Sequence, residues 1–221
     1  GWVVDRQAFD NWMLDQADKS GVDVRTRHTV KEVEQNGDVM LDVLDRESNE
    51  SLEVHAESVA LANGANWDLA VQAGFDEDTV VPSKSELHME DPDYYDEYGG
   101  DTLYLEFNDD YAPKGYTWSF PEGDGFTRWG NGIPLSLDAS PSEHLESYLE
   151  DHDKDQWADT AREHTNAIIP TARPLESAVN GSVALVGDTG HHCDPLHGGG
   201  ILFGCRAGNA FGKAVARGGV Q

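Results

Sequence analysis

Over the first twenty positions apolar residues recur at steps of three and four: Phe9, Trp12, Met13 and Ala17 in DRQAFDNWMLDQADKSG. That spacing predicts an amphipathic helix stopped by Gly21. Beyond it the period changes to two. Val22 and Val24, then Val39, Leu41 and Val43, alternate with polar residues, and QNGD between two such runs is a hairpin signal. LEVHAESVALANGA adds two more strand-like runs, the last ending in Asn63-Gly64. A helix, a hairpin meander and an apolar strand closed by a glycine turn predict an α/β layer.

The middle of the chain reads differently. From Met89 to Leu135 aromatics are dense, with Gly and Pro at short intervals. Leu103, Leu105 and Phe107 alternate, as do Tyr116, Trp118 and Phe120, which predicts an antiparallel sheet with one strongly aromatic face. SPSEHLESYLEDHDKDQWADTARE predicts one or two acidic surface helices with a Ser-Pro start. Toward the C-terminus GSVALVGDTG is a short apolar strand, Val183 to Val186, ending in Gly187-Asp188. The expected organisation is an α/β part formed by residues 1–80 and 170–221, with a sheet domain, residues 81–169, inserted into it.

The segment after that last strand, DPLHGGGILFGCRAGNAFGKAVA, carries the most specific chemistry. Ligands of open α/β sheets bind beyond the carboxyl ends of strands, where Asp188 can accept hydrogen bonds from ribityl or ribose hydroxyls. Pro195 stiffens the turn, and Gly198, Gly199 and Gly200 let backbone N–H groups approach a ligand closely. The helix that starts there aims its positive end at the same place. Ala207, Gly208, Ala210 and Ala214 keep that helix thin enough for close packing. Glycine-rich strand-to-helix turns also occur without a ligand; here the Gly-Asp end, the proline and the triple glycine act together. His191, His192, Cys193, Asp194 and His197 crowd the loop, but adjacent histidines converge poorly on one ion, and loop residues beside a ligand explain them better than a metal. Asp91, Asp93, Asp96, Glu97, Asp109 and Asp110 lack the spacing of a calcium loop and read as a solvated acidic face.

Charge changes the picture. The 221 residues contain 42 Asp+Glu against 15 Lys+Arg, a formal net charge of −27. The sign excludes free nucleic acid as an expected partner. Acids are spread along the whole chain, as on the surface of a protein from a salt-loving organism, where a Debye length of about 3 Å in molar salt screens the self-repulsion. The two cysteines, Cys193 and Cys205, make no disulfide framework, so a reducing cytosolic compartment is expected. No run reaches the ~18 apolar residues of a membrane span.

Two motifs resemble one family. ALVGDTGHHCDPLHGGGI resembles the second flavin-binding motif of the geranylgeranyl reductases, FAD enzymes within the larger group that includes aromatic hydroxylases. The resemblance implies FAD as cofactor, Gly187 and Asp188 at the ribityl chain, and Gly198 to Ile201 as backbone lining of the isoalloxazine pyrimidine edge, after Pro195. YTWSFPEGDGFTRWGNG resembles the reductases' aromatic substrate motif, with Tyr116, Trp118, Phe120, Pro121, Gly130 and Gly132 at its fixed positions. Alternate strand residues share a face, so the three rings would form one apolar wall for an isoprenoid chain. An aromatic sheet core without a ligand is the plainer explanation of that motif alone. VVDRQAFDNWM resembles the family's Arg-bearing helix, with Arg6 either near the FAD pyrophosphate or simply solvated.

The chain departs from the family in lacking Gly-x-Gly-x-x-Gly and in carrying Asn63 where relatives have Asp. It is therefore expected to start after the first cofactor motif, to stop before the family's C-terminal portion, and to be inactive alone. The implied fold class is α/β, a glutathione-reductase-like FAD-binding layer with an inserted antiparallel aromatic sheet. The implied reaction is hydride transfer from reduced flavin to isoprenoid carbon–carbon double bonds of membrane lipid precursors. NADPH or ferredoxin would supply electrons, and the enzyme would work in the cytoplasm, peripheral to the membrane. A flavin monooxygenase of the aromatic hydroxylase type, or a non-catalytic remnant, are the alternatives. No residue is assigned as the proton donor.

Overall fold

In a computed structural model, which describes residues 3–76, 82–170, 175–194 and 198–219, the chain divides into two compact units: Arg25–Val80 with Ile169–Gln221, and Gly1–Val24 with Val81–Ile168. The sequence reading groups residues 1–24 with the α/β part; the contacts group them with the second unit.

The first unit opens with a meander, β1 (His28–Asn36), β2 (Asp38–Asp45) and β3 (Ser51–Ala56), paired antiparallel in that order. Gly37 makes the first turn at φ +103°, the left-handed backbone that QNGD requires. Val33, Val39 and Val43 point inward and are buried, as period two dictates. Val22 and Val24 lie before β1 rather than in a strand.

β4 (Val59–Leu61) leaves the meander and joins a separate sheet. It runs parallel to β11 (Val183–Leu185), whose other edge takes the short antiparallel β10 (Val179–Asn180). Both β4 and β11 read Val-Ala-Leu, pair residue for residue and are largely buried. Between them lies α2 (Asp68–Gln72), whose Gln72 side chain accepts from the Val33 amide at 2.9 Å. Val33, Val39, Val59, Leu61, Trp67, Ala70, Val183 and Leu185 form the core. α5 (Ile201–Val215) closes the unit and follows Gly198–Gly200 as expected.

The second unit is built on an antiparallel sheet of β5 (Pro82–Glu90), β6 (Tyr104–Glu106), β7 (Tyr116–Gly123), β8 (Phe126–Pro134) and β9 (Glu163–Ile168), in the order β6-β7-β8-β5-β9. α1 (Arg6–Lys19) is capped by Asp5, whose side chain accepts from the Ala8 amide at 2.9 Å, but the expected apolar face is not buried: no residue of the helix is, and Trp12, Met13 and Leu14 are exposed. α4 (Pro141–Asp151) begins at the Ser140 cap, as the Ser-Pro signal predicts, but it is no mere surface helix: it buries Leu145, Tyr148 and Leu149. These residues pack with Met89, Tyr94 and Trp129 on one face of the sheet.

MEDPDYYDEYGG, read as part of a sheet, holds α3 (Pro92–Tyr98). The signals are local: Pro92 at the first helical position, and Asp91 accepting from the Tyr94 amide at 3.0 Å. Asp91 is fully buried, not part of a solvated face. Its other oxygen accepts from Trp129 Nε1 at 2.9 Å, and Lys154 Nζ lies 3.1 Å away. Asp93 and Asp109 likewise serve the fold, accepting from Trp157 Nε1 and from the Lys114 amide.

Candidate functional site

In the first unit the carboxyl ends of β4 and β11 carry two loops side by side. Val186 N–H donates to the Leu61 carbonyl at 2.9 Å, and Thr189 Oγ1 donates to the Gly64 carbonyl at 2.8 Å. Asn63-Gly64 and Gly187-Asp188 are thereby tied together, the position at which open α/β sheets bind ligands. Gly187 turns with φ +68°, and Gly187–Gly190 form one 3-10 turn.

The glycine-led helix approaches this turn closely. A Cβ on Gly204 would stand 3.4 Å from the Gly187 Cα, and one on Gly200 would stand 3.0 Å from Asp188 Oδ1. The Asp188 carboxylate therefore lies directly against the start of α5. The first-turn amides of α5 have no acceptor within their own helix, and Ile201, Leu202 and Phe203 around them are exposed. Gly198 turns with φ +68°. Pro195 and His197 lie outside the described residues.

The histidines behave as loop residues. His191, in the left-handed region at φ 54°, is buried, its ring tilted against Trp67 with centroids 4.9 Å apart. The His192 ring packs on Gly190, where a Cβ would come within 2.6 Å of its Cε1. Burial and the neighbouring His191 push the His192 pKa below its ordinary value. Burial pushes the Cys193 thiol up to about 11, with Asp188 and Asp194 adding to it, which disfavours the thiolate. Among the described residues no group of three His, Cys, Asp or Glu could hold a metal ion.

The second unit presents a different surface. The sheet face opposite its helical core carries, strand by strand, Leu105 on β6; Tyr116, Trp118 and Phe120 on β7; Gly132, Gly130 and Arg128 on β8; Lys84, Glu86 and His88 on β5. Successive β7 rings lie 5.6 and 6.3 Å apart, and Phe107 extends the row, 5.4 Å from Tyr116. Trp118 is buried and lies over β8: a Cβ on Gly130 would stand 2.4 Å from its Cζ2, and one on Gly132 3.7 Å from its Cζ3. The glycines are thus the floor under the indole. Pro121, paired with Thr127, points to the other face and is not part of this wall.

The wall is not wholly apolar. Trp118 Nε1 donates to Glu86 Oε2 at 3.2 Å, and Arg128 donates to Glu86 at 2.7 Å and to Glu122 at 2.6 Å. His88 Nε2 lies 2.8 Å from Glu122. Burial opposes the Arg128 charge, but the Glu122 and Glu86 hydrogen bonds outweigh it and raise its pKa. Sequence reading missed this ionic stripe. Lys84, Glu86 and His88 alternate visibly, but only the pairing of β5 with β8 brings them beside the aromatic motif. Arg6 pairs with Asp10 at 3.1 Å on an exposed turn of α1, in the unit that does not hold the glycine turn.

Fold and site define a flavin-dependent oxidoreductase. The FAD dependent oxidoreductase family matches residues 1–218, and the chain belongs to that family. Digeranylgeranylglycerophospholipid reductase of Methanothrix thermoacetophila is 28% identical over 222 residues, 98% of this chain and 55% of that protein. Its counterpart in Methanoculleus marisnigri is 32% identical over 236 residues, 99% of this chain and 56% of that protein. The chain spans about half the length of the relatives it matches. A geranylgeranyl bacteriochlorophyll reductase-like protein from Thermoplasma acidophilum shares the fold with a TM-score of 0.80 at 22% identity, over 96% of this chain and 53% of that one. The flavin-dependent halogenase CmlS follows at 0.73 and 22% identity, over 97% and 40%. The resemblance read from the two motifs is met by these reductases.

FAD is the cofactor of this family, and the residues present fit it. Asp188 and the first turn of α5 offer an acceptor for hydroxyls and amides for a pyrimidine edge. Trp67 Nε1 and His192 Nδ1, in and after these loops, are buried with no hydrogen-bond partner among the described residues.

Proposed function

We propose that the chain is the cofactor- and substrate-binding portion of a reductase of isoprenoid carbon–carbon double bonds in membrane lipid precursors. The observations that support this reading are a Gly-Asp turn against a glycine-led helix in one unit and a glycine-floored aromatic row in the other, each in its own unit. When bound, reduced FAD would supply a hydride to one carbon of the alkene, and a proton delivered to the neighbouring carbon would complete the reduction. Asp188 accepts the ribityl hydroxyls. The backbone of Gly198 to Ile201 would line the pyrimidine edge, where the helix N-terminus would stabilise negative charge on the reduced ring. Tyr116, Trp118 and Phe120 bind the hydrocarbon, which offers no hydrogen bonds and is held by apolar contact alone. NADPH or ferredoxin supplies the electrons, and the enzyme works in the cytoplasm against the membrane surface. Among the described residues no helix is long and apolar enough to cross a membrane.

The test uses the complete FAD-loaded enzyme, reduced anaerobically with dithionite. Adding digeranylgeranylglycerophospholipid should reoxidise the flavin and yield a lipid heavier by the added hydrogen, with Trp118→Ala raising the lipid concentration needed. Flavin that turns over only with oxygen and an aromatic substrate would make the enzyme a monooxygenase, and a preparation that holds no flavin would make it a remnant.

A further inference from the structure

We infer that Glu86 is a positioning residue for the substrate wall: its carboxylate fixes the Trp118 indole, and with it the line along which a lipid chain runs. The inference rests on the reading of the aromatic face as the chain-binding surface.

Glu86 stands directly across β8 from the indole, since Glu86 and Trp118 both pair with Gly130 from opposite sides. The glycine floor lets the indole lie flat, but a flat ring on a glycine has no side chain to set its angle. The hydrogen bond from Nε1 to Glu86 sets it. The carboxylate is itself held from two sides, by Arg128 at 2.7 Å and Lys84 at 3.5 Å, and its side chain is only 9% exposed.

This arrangement is separate from the unit's main apolar cluster. Its core, Met89, Tyr94, Trp129, Leu145, Tyr148 and Leu149, lies on the opposite face of the sheet and includes neither Glu86 nor Trp118. A buried ion pair is a poor stabiliser compared with apolar residues of the same volume, and its better-attested use is to specify one arrangement. Glu86, Arg128, Glu122 and His88 are linked to one another, so the stripe presents polar groups that already have partners. A hydrocarbon crossing it would cover polar groups and give them nothing in return. The chain is thereby confined to run along β7, past Phe120, Trp118 and Tyr116, a span of about 14 Å at the rise of an antiparallel strand. Beyond Tyr116 lies Phe107, 64% exposed, at the open end of the row.

The experiment follows reoxidation of the dithionite-reduced, complete enzyme by digeranylgeranylglycerophospholipid in detergent micelles. The concentration dependence separates lipid affinity from the limiting rate. Glu86→Ala should weaken affinity by about tenfold, the scale of one hydrogen bond to a charged group, with a smaller fall in limiting rate and a changed near-UV tryptophan signal. Glu86→Gln keeps an oxygen for the indole N–H and should restore most of the affinity. If Glu86→Ala does not fold, the triple change Glu86→Leu, Arg128→Met and Glu122→Gln removes the linked charges together and should show the same loss. Wild-type affinity in the variant that folds, or Glu86→Gln as weak as Glu86→Ala, overturns the inference. Trp118→Ala separates the two levels: unchanged affinity there defeats the substrate-wall reading itself, whereas loss there with normal affinity in the Glu86 variants defeats only the role of Glu86.

Discussion

Gly130→Ala and Gly132→Ala are the same chemical change two residues apart on one strand, yet they should differ in sign. At Gly132 the new methyl would meet Trp118 at 3.7 Å, an ordinary contact. Replacing a strand glycine removes an entropic cost of roughly 0.5–1 kcal/mol, so Gly132→Ala should be neutral or slightly stabilising. At Gly130 the methyl would fall 2.4 Å from Trp118 Cζ2. Carbon atoms prefer about 3.5–4.0 Å, so the indole must retreat by about 1 Å. It has little room: Glu86 holds Nε1, and Tyr116 and Phe120 flank the ring at 5.6 and 6.3 Å. Overpacking of this kind costs about 1–3 kcal/mol, and with the indole held on three sides the cost falls in the upper part of that range, about 2–3 kcal/mol, which exceeds the glycine gain and leaves a net loss of about 1–2 kcal/mol. For a chain of this size that corresponds to a Tm lower by roughly 2–8 °C. Thermal melts of the two variants, read by tryptophan fluorescence, test the difference, and repeating Gly130→Ala in a Trp118→Leu background completes a double-mutant cycle. Equal costs at the two glycines, or a Gly130 penalty that survives removal of the indole, would refute the account of why this strand carries glycine.

Other consequences can be measured independently. Asp188→Ala in the complete enzyme should weaken FAD binding by about 1.5–3 kcal/mol, the range for hydrogen bonds to a charged acceptor; flavin fully retained on dialysis would remove Asp188 from the cofactor site. Lys154→Met leaves the Asp91 carboxylate buried without its cation and should destabilise the fold by about 3–5 kcal/mol, whereas the double change Asp91→Asn with Lys154→Met should cost less; equal denaturant midpoints for the single and double variants would contradict the pairing. With a net charge of −27, Tm should rise from dilute buffer to molar KCl as self-repulsion is screened; a flat or falling profile would count against a surface adapted to salt.

Local chemistry alone was enough to determine part of this protein. The helix before Gly21, the hairpin at QNGD, the Ser-Pro start of α4, and the strand, Gly-Asp turn and glycine-led helix near the C-terminus all follow from periodicity and turn residues within a few positions. The alternation of Tyr116, Trp118 and Phe120 likewise determines that the rings share a face, because a strand allows nothing else. Tertiary structure decided what no short window contains. Val-Ala-Leu occurs at 59–61 and again at 183–185, and only their parallel pairing brings Gly64 within reach of Thr189 across 125 residues. Asp91 reads as one more acid on an acidic surface until Trp129 and Lys154 enclose it. Glu86 is unremarked in sequence because its significance depends on register: β5 must lie against β8 with Glu86 at Gly130 before its carboxylate can meet the indole. Backbone conformation and facing are set by neighbours along the chain, but desolvation, charge pairing and the reach of a hydrogen bond are set by neighbours in space.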